Sequence, residues 1–285
     1  MATKQMTKRI LLLSPAALWL VTMLVLPILF VFIFSFGERG SAGGYVPAFT
    51  FAQYANLPAR FTAFQNTLIL APLGTFAALL VAYPLAYYLA LHISEKWRTF
   101  LLVMVIVPFW TSILIRTYAW IFILGGQGLP HLVEWLGFPT TRLINTQFSV
   151  LIGIVYGYLP LMVFPIFVSL EKLDKTLLEA AADLGSSPIR CFWQITFPLS
   201  LTGVATGCML VFILLMGEFL IPALLGGGKV FFIGNALVDL FLQSRNWAFG
   251  SAVAATLVLI MLVTVTIYMR FMLRGQRSDL DQGLF

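Results

Sequence analysis

Residues 171–198, EKLDKTLLEAAADLGSSPIRCFWQITFP, decide the fold, because they form a charge-dense polar interruption between two apolar runs. Asp174 is of a type favoured at helix N-caps, so a helix is predicted to begin just after it. Apolar residues then recur at helical spacing and give that helix one apolar stripe, made of Leu177, Ala181 and Leu184. A helix of about ten residues is only ~15 Å long, which suits a groove on another protein. A solvated linker between two spans is the alternative.

The second half of the same stretch predicts a turn and another short helix. Gly185 fits the position after a helix, where a left-handed backbone is easiest for glycine. Ser187 is placed to cap the next helix, with Pro188 at its first position, where a missing N–H does no harm. Pro198 is expected to end this second helix at the edge of the next apolar run.

The bulk composition indicates a membrane protein. Of 285 residues, 60% are hydrophobic and only 10% are charged, whereas a soluble domain carries about 25% charged residues. The net charge of +6 fits either nucleic-acid binding or positively charged loops on the cytoplasmic side of a membrane. The placement of the basic residues decides between these two interpretations.

Six runs are long enough to span a bilayer, which needs about 20 apolar residues. They lie at 10–36, 67–91, 100–125, 147–170, 199–225 and 250–269. The first run exceeds the apolar core of a cleaved signal peptide, so it is expected to stay as a helix. The sequence therefore predicts an all-α membrane protein with a single transmembrane domain over 1–285 and six helices. Because six is even, both termini are expected on one side.

The basic residues orient the chain. Eleven lie on the side of the termini and of loop 171–198: Lys4, Lys8, Arg9, Lys96, Arg98, Lys172, Lys175, Arg190, Arg270, Arg274 and Arg277. The other side has five: Arg39, Arg60, Arg142, Lys229 and Arg245. Cytoplasmic loops are enriched in Lys and Arg, so the termini and the loop are predicted to be cytoplasmic. The basic residues form no stripe, which argues against nucleic-acid binding.

Two charges, Arg116 and Glu218, lie inside predicted spans. Such groups are costly and normally face a partner or a wet cavity. Counting along continuous helices places both in the outer part of the bilayer, ~24–29 Å from the inner end. We therefore expect them to line a substrate path near its outer gate and to pair in one state, so that a double charge reversal restores transport. A static structural ion pair, or snorkelling to the interface, is the alternative.

Two tyrosines of the fourth span, Tyr156 and Tyr158, are further candidates for the substrate path, because their ring faces could meet a cation. Packing against neighbouring helices is the other interpretation of both residues.

Residues 171–198 resemble the EAA loop of ABC-importer permeases. The matching residues are Glu179-Ala180-Ala181, three residues, Gly185, nine residues, Ile195, one residue, Phe197 and Pro198. The family pattern has leucine in place of Phe197. The resemblance implies a coupling helix that docks in a cleft of a cytoplasmic ATPase. On that basis the coupling residues are Glu179, Ala180, Ala181, Asp183, Gly185, Ile195 and Pro198.

Further segments look like the polyamine (spermidine/putrescine) branch of these permeases. They are Val107–Gly125, Ser169–Leu184, Met216–Gly227 and Ile233–Ala252. The resemblance implies a type I importer permease fold in a bacterial inner membrane. It also implies a second, different permease chain, two ATPase subunits and an external solute-binding protein. ATP and Mg²⁺ would be bound by the ATPase, so no cofactor is expected in this chain. The branch also includes importers of opines and other small solutes, and an amino acid stays open as well.

Two other function classes are less favoured by the sequence. An ion-coupled secondary transporter usually places ionisable residues near the midplane within repeated halves, and no clear internal repeat is present. A membrane enzyme would need a catalytic or metal constellation, but His92 and His131 have no partner at motif spacing. The glycines of 226–228 before Lys229 lack the remaining residues of a phosphate-binding loop. No catalytic or metal site is predicted.

Overall fold

The computed structural model describes residues 2–137, 139 and 142–282, with side chains for 12–137, 139 and 142–270. The helices are α1 (Ala2–Phe34), α2 (Ala52–Ala55), α3 (Phe61–Leu91), α4 (Glu95–Trp110), α5 (Ile113–Leu124), α6 (Leu129–Trp135), α7 (Gln147–Glu171), α8 (Lys175–Asp183), α9 (Pro188–Cys191), α10 (Phe197–Met216), α11 (Leu220–Leu225), α12 (Ile233–Val238) and α13 (Trp247–Gln282). A small antiparallel pair, β1 (Glu38–Arg39) with β2 (Tyr45–Val46), a 3-10 turn (Leu57–Arg60) and two π-helical turns (Phe192–Thr196 and Asp239–Gln243) complete the described elements.

Within the described residues, five helical segments are long and apolar enough to cross a membrane, and a sixth span results if the bent pair of α4 with α5–α6 is counted as one. The predicted spans 10–36, 67–91, 147–170 and 250–269 fall on α1, α3, α7 and α13. The end residues 1 and 283–285, and the side chains of Lys4, Lys8, Arg9, Arg274 and Arg277, lie outside the described part. The cytoplasmic orientation of the termini therefore stays a prediction.

The third predicted span, 100–125, is not one continuous helix. It is divided at Thr111 and Ser112, which are extended, and the axes on either side differ by 91°. Pro108 removes one backbone donor from the last turn of α4, and the Thr111 hydroxyl donates to the Pro108 carbonyl at 2.7 Å. Such local side-chain bonds compete with helix continuation. A count of residues along one straight axis therefore does not give the height of Arg116.

The fifth predicted span, 199–225, is also interrupted. Helix α10 ends at Met216, and α11 begins only at Leu220. Glu218 thus lies in the break between two helices rather than inside one.

The expectation that Pro198 ends the second loop helix is wrong. The chain stays helical from α9 through the π-helical turn Phe192–Thr196 into α10. Pro198 occupies the first turn of α10, directly after the π-helical turn, and its missing N–H leaves the preceding turn without one backbone donor.

The described chain divides into two compact units. The first contains residues 2–61 and 236–260. Its α1 side chains from Leu12 to Phe30 are all exposed within the chain. The Arg60 guanidinium and the Asp239 carboxylate of this unit form an ion pair at 2.6 Å, and Arg39 donates to the Ser244 carbonyl at 2.9 Å.

The second unit contains residues 62–235 and 261–282, and its core is built on the pairing of α7 with α10. Glycines make this close approach possible. A Cβ on Gly203 would lie 2.5 Å from the Pro165 carbonyl oxygen, and one on Gly207 would lie 3.1 Å from that of Met162. Loop 171–198 joins these two helices, so their packing fixes both of its ends.

Candidate functional site

The first candidate site is the loop between α7 and α10, and its first helix is capped as the sequence predicts. The Asp174 carboxylate accepts the Thr176 backbone N–H at 3.0 Å. This bond holds the pKa of Asp174 below its ordinary value, because it favours the charged form. Glu179, Ala180 and Asp183 are exposed along α8.

The turn after α8 has the predicted left-handed glycine. Gly185 has φ +80°, and no atom lies within 4 Å of the position that a Cβ would take. Its N–H donates to the Ala182 carbonyl at 2.9 Å, and that of Ser186 donates to Ala181 at 3.0 Å. This pair of bonds is a Schellman motif. Ser187 then caps α9 by accepting the Arg190 N–H at 3.4 Å.

The loop exposes large apolar side chains. Leu184 is 88% exposed, Ile189 is 74% and Trp193 is 61%. Large exposed apolar side chains on a loop of otherwise polar composition indicate a candidate interaction site. The remaining two predicted coupling residues lie further on: Ile195 is half-buried within the π-helical turn, and Pro198 is exposed.

The second candidate site surrounds Glu218, which is only 7% exposed. One carboxylate oxygen accepts the backbone N–H groups of Phe219, Leu220 and Ile221 at 3.0, 2.8 and 3.2 Å. The other accepts the hydroxyl of Tyr158. Three of these donors belong to the start of α11, where N–H groups have no partner within the helix. Glu218 therefore stabilises the beginning of α11 and joins it to α7.

Arg116 is not bonded to Glu218. Among the described residues the ion pairs are Arg60–Asp239 and Arg98–Glu171. The Arg116 guanidinium lies 5.7 Å from the ring centroid of Phe109, which fits a cation–π contact across the α4–α5 break. Its Nε atom is buried and has no hydrogen-bond partner in the described chain. The predicted pairing of Arg116 with Glu218 is thus absent from this conformation.

The two candidate tyrosines have different surroundings. Tyr158 is buried against Glu218. Tyr156 is 39% exposed, and its ring packs edge-on against Trp120 of α5 with centroids 5.6 Å apart. The structure therefore brings Tyr158 to Glu218 and leaves Tyr156 as the accessible ring.

Sequence reasoning missed a set of amide and hydroxyl side chains that hold the segment before α12. Asn235 donates to the Phe219 carbonyl at 2.7 Å and accepts the Phe232 N–H at 3.1 Å. The Thr67 hydroxyl of α3 accepts the Ile233 N–H at 2.9 Å. The sequence did contain a signal for these contacts, because α12 lies in a short apolar segment whose backbone N–H groups need hydrogen-bond partners. The partner on α3 was too distant in sequence to be identified.

The sequence is similar to those of known membrane-transport proteins. Residues 74–277 match the family described as "Binding-protein-dependent transport system inner membrane component". The chain is 39% identical over 258 residues to the spermidine/putrescine transport system permease protein PotB of Haemophilus influenzae, which covers 88% of this chain and 90% of that protein. It is 41% identical to the protein of the same name from Escherichia coli K12, over 88% and 93% of the two chains.

A more distant relative is the inner membrane ABC transporter permease protein YdcU of Escherichia coli K12. It is 31% identical over 232 residues, covering 76% of this chain and 72% of that protein. Among solved structures, a bacterial ABC transporter involved in the import of the acidic polysaccharide alginate superposes with a TM-score of 0.73, at 16% identity and over 97% and 99% of the two chains. At this identity the likeness concerns the fold, and it confirms the predicted importer permease fold.

Proposed function

Because the chain belongs to the family of binding-protein-dependent transport system inner membrane components, we propose that it is a permease subunit of a polyamine importer. It is a multi-pass protein of the inner membrane and a transport component rather than an enzyme. The observation that carries the solute assignment is the 39–42% identity to spermidine/putrescine permeases over 88% of the chain. We assign putrescine or spermidine to it on that basis.

Permeases of ABC importers work with another permease, an ATPase and a binding protein. For this chain we propose a different second permease, two ATPase subunits that hold ATP and Mg²⁺, and an external solute-binding protein. The exposed side chains Leu184, Ile189 and Trp193 support docking of the loop on the ATPase, because they would bury apolar surface there. In this proposal ATP-driven closure of the ATPase moves the loop and switches the transmembrane solute cavity from inward-facing to outward-facing.

The coupling role belongs to Glu179, Ala180, Ala181, Asp183, Gly185, Ile195 and Pro198. The glutamate and aspartate offer exposed charges to the ATPase, and Gly185 sets the direction in which the chain leaves α8. The hydrogen-bonded Schellman turn supports this proposal, because its two backbone bonds define the direction of the chain after α8.

For the substrate path we propose Arg116, Tyr156, Tyr158 and Glu218, in two different roles. Tyr158 and Glu218 form a hydrogen-bonded part of the wall. Tyr156 offers an exposed ring to a cation. Arg116, with its unpartnered Nε, is available to change partners when the path opens.

Reconstitution tests the proposal. The chain is assembled in liposomes with its cognate second permease, ATPase and solute-binding protein, and uptake is measured for putrescine, spermidine, an opine and amino acids. We expect ATP-dependent uptake of the polyamines. Uptake of an opine or amino acid instead would overturn the solute assignment, and uptake without ATP would overturn the importer assignment.

A further inference from the structure

The loop leaves toward α10 through an unusual helical turn. Over Phe192–Thr196 the backbone is π-helical, and the Phe197 N–H bonds to the Phe192 carbonyl five residues earlier. Isolated π turns inside α-helices are rare and frequently accompany functional sites. In this chain the π-helical turn packs against aromatic rings of α3.

The π-helical turn brings Phe192 and Phe197 to the same neighbour. Both ring centroids lie 5.7 Å from that of Tyr83 on α3. In a regular α-helix, residues five apart point about 140° away from each other. They could not both contact one ring in that geometry. A turn closed by an i to i+5 bond puts them on one side.

A cluster of rings extends this contact along α3. Tyr87 also packs on Phe192, with centroids 5.8 Å apart, and on His92 at 5.3 Å. The buried Tyr83 hydroxyl hydrogen-bonds to that of Ser200 in the first turn of α10 at 2.9 Å. The exit of the loop is thus held against α3 by ring packing and a hydrogen bond.

The entrance of the loop is attached to α4 by an ion pair. At the end of α7, Glu171 accepts a bond from Arg98 of α4 at 3.3 Å; the Glu171 side chain is 44% exposed and that of Arg98 is 13% exposed. An ion pair that is partly open to water is screened by salt. The contact of the loop exit with α3 instead consists of rings packed around the buried Tyr83, and it does not depend on charge.

We propose that Phe192 is a positioning residue for coupled transport, which transmits displacement of the loop to α3 through Tyr83 and Tyr87. This proposal rests on the proposed docking of the loop on the ATPase. Close-packed side chains move together rather than compress. When the loop is displaced, α3 must follow as long as the rings stay packed. Without the Phe192 ring, the loop can move while α3 stays behind, so ATP is hydrolysed without moving solute.

The test measures solute molecules transported per ATP hydrolysed in the complete complex in liposomes, together with the amount of ATPase that co-purifies. For Phe192→Ala we expect this ratio to fall roughly tenfold, which is the scale set by losing one or two aromatic contacts. The ATPase should remain bound and active. Phe192→Tyr keeps a ring and should restore the ratio. Leu80→Ala removes an exposed apolar side chain from the same helix, α3, and should leave the ratio of solute transported to ATP hydrolysed unchanged.

A parent-like ratio in Phe192→Ala would overturn the proposal. If that variant does not retain the ATPase, Tyr87→Leu carries the test, because it leaves the loop sequence intact. A fall in its ratio supports the proposal, and a parent-like ratio overturns it. Failure of the solute assignment is a separate result, since the ratio is then measured with whichever solute the assembled complex transports.

Discussion

At the scale of single residues, Gly185 is the position with the strictest backbone requirement in the loop. Its φ of +80° costs a residue with a Cβ about 1–2 kcal/mol, although the surrounding space is open. We expect Gly185→Ala to lower ATP-driven uptake several-fold, because the chain then leaves α8 in a different direction. Gly185→Asn should be milder, since asparagine tolerates this conformation. Uptake by reconstituted complexes measures both.

The matched control is Gly126→Ala. Gly126 also has open space around its missing Cβ, but it has no positive φ. Equal loss of uptake in the two alanine variants would contradict a specific requirement at Gly185.

The intramembrane charges give a second prediction at this scale. Glu218 accepts three backbone N–H groups and the Tyr158 hydroxyl. An arginine at this position would face the same donors and could bond to none of the N–H groups. We therefore expect the double variant Arg116→Glu/Glu218→Arg to transport no better than Glu218→Arg alone. Recovery of uptake in the double variant would show that the pair forms during the cycle.

Some structural features of these residues can be predicted from the sequence, and others cannot. The caps at Asp174 and Ser187 and the turn at Gly185 were predicted because their partners lie within three or four residues. Glu218 was also singled out from the sequence, but its hydrogen-bond partners were not. One of those partners is Tyr158, sixty positions away, and residue spacing in a single sequence carries no information about such contacts.

At the scale of elements, the exposed face of loop 171–198 is testable as a docking surface. Burying a leucine side chain contributes about 1.5–3 kcal/mol, which is more than tenfold in affinity. We expect Leu184→Asp to abolish co-purification of the ATPase, while the permease pair stays assembled. Affinity purification in detergent followed by quantification of the ATPase measures this.

Leu136→Asp provides the control for that experiment. Leu136 is also an exposed leucine, at 64% against 88% for Leu184, but it lies outside the loop. ATPase retention in Leu184→Asp would contradict the docking proposal, whereas loss in both variants would indicate general misfolding.

Helix positions were predictable where an apolar run continues without a local interruption, as in α1, α3 and α7. The breaks at Thr111–Ser112 and at Gly217–Phe219 were not. Hydropathy averages over many residues, so a two- or three-residue interruption within an apolar run does not change it. The π-helical turn was equally invisible to hydropathy, because it lies within a continuous helical stretch.

At the scale of the whole molecule, orientation in the membrane is the prediction on which the transport direction depends. In a background with Cys191 and Cys208 replaced by serine, we expect Lys175→Cys to be labelled by a membrane-impermeant maleimide in inverted vesicles only. Gln127→Cys should be labelled in intact cells with a permeable outer membrane. The physical reason is the excess of Lys and Arg on the side of the loop.

Labelling of Lys175→Cys in intact cells would place the loop outside, away from ATP, and would contradict the coupling proposal as a whole. Parent-like uptake in the cysteine-free background is the required control.

The bond between Tyr158 and Glu218 has a consequence for biogenesis. The carboxylate is synthesised sixty residues after the phenol that it needs, so the ribosome delivers the donor to the bilayer before the acceptor. A nascent chain can therefore insert α7 first. When the later segment enters the bilayer, the Tyr158 hydroxyl is already in place to donate to the Glu218 carboxylate, so this acid is not left without a partner in lipid.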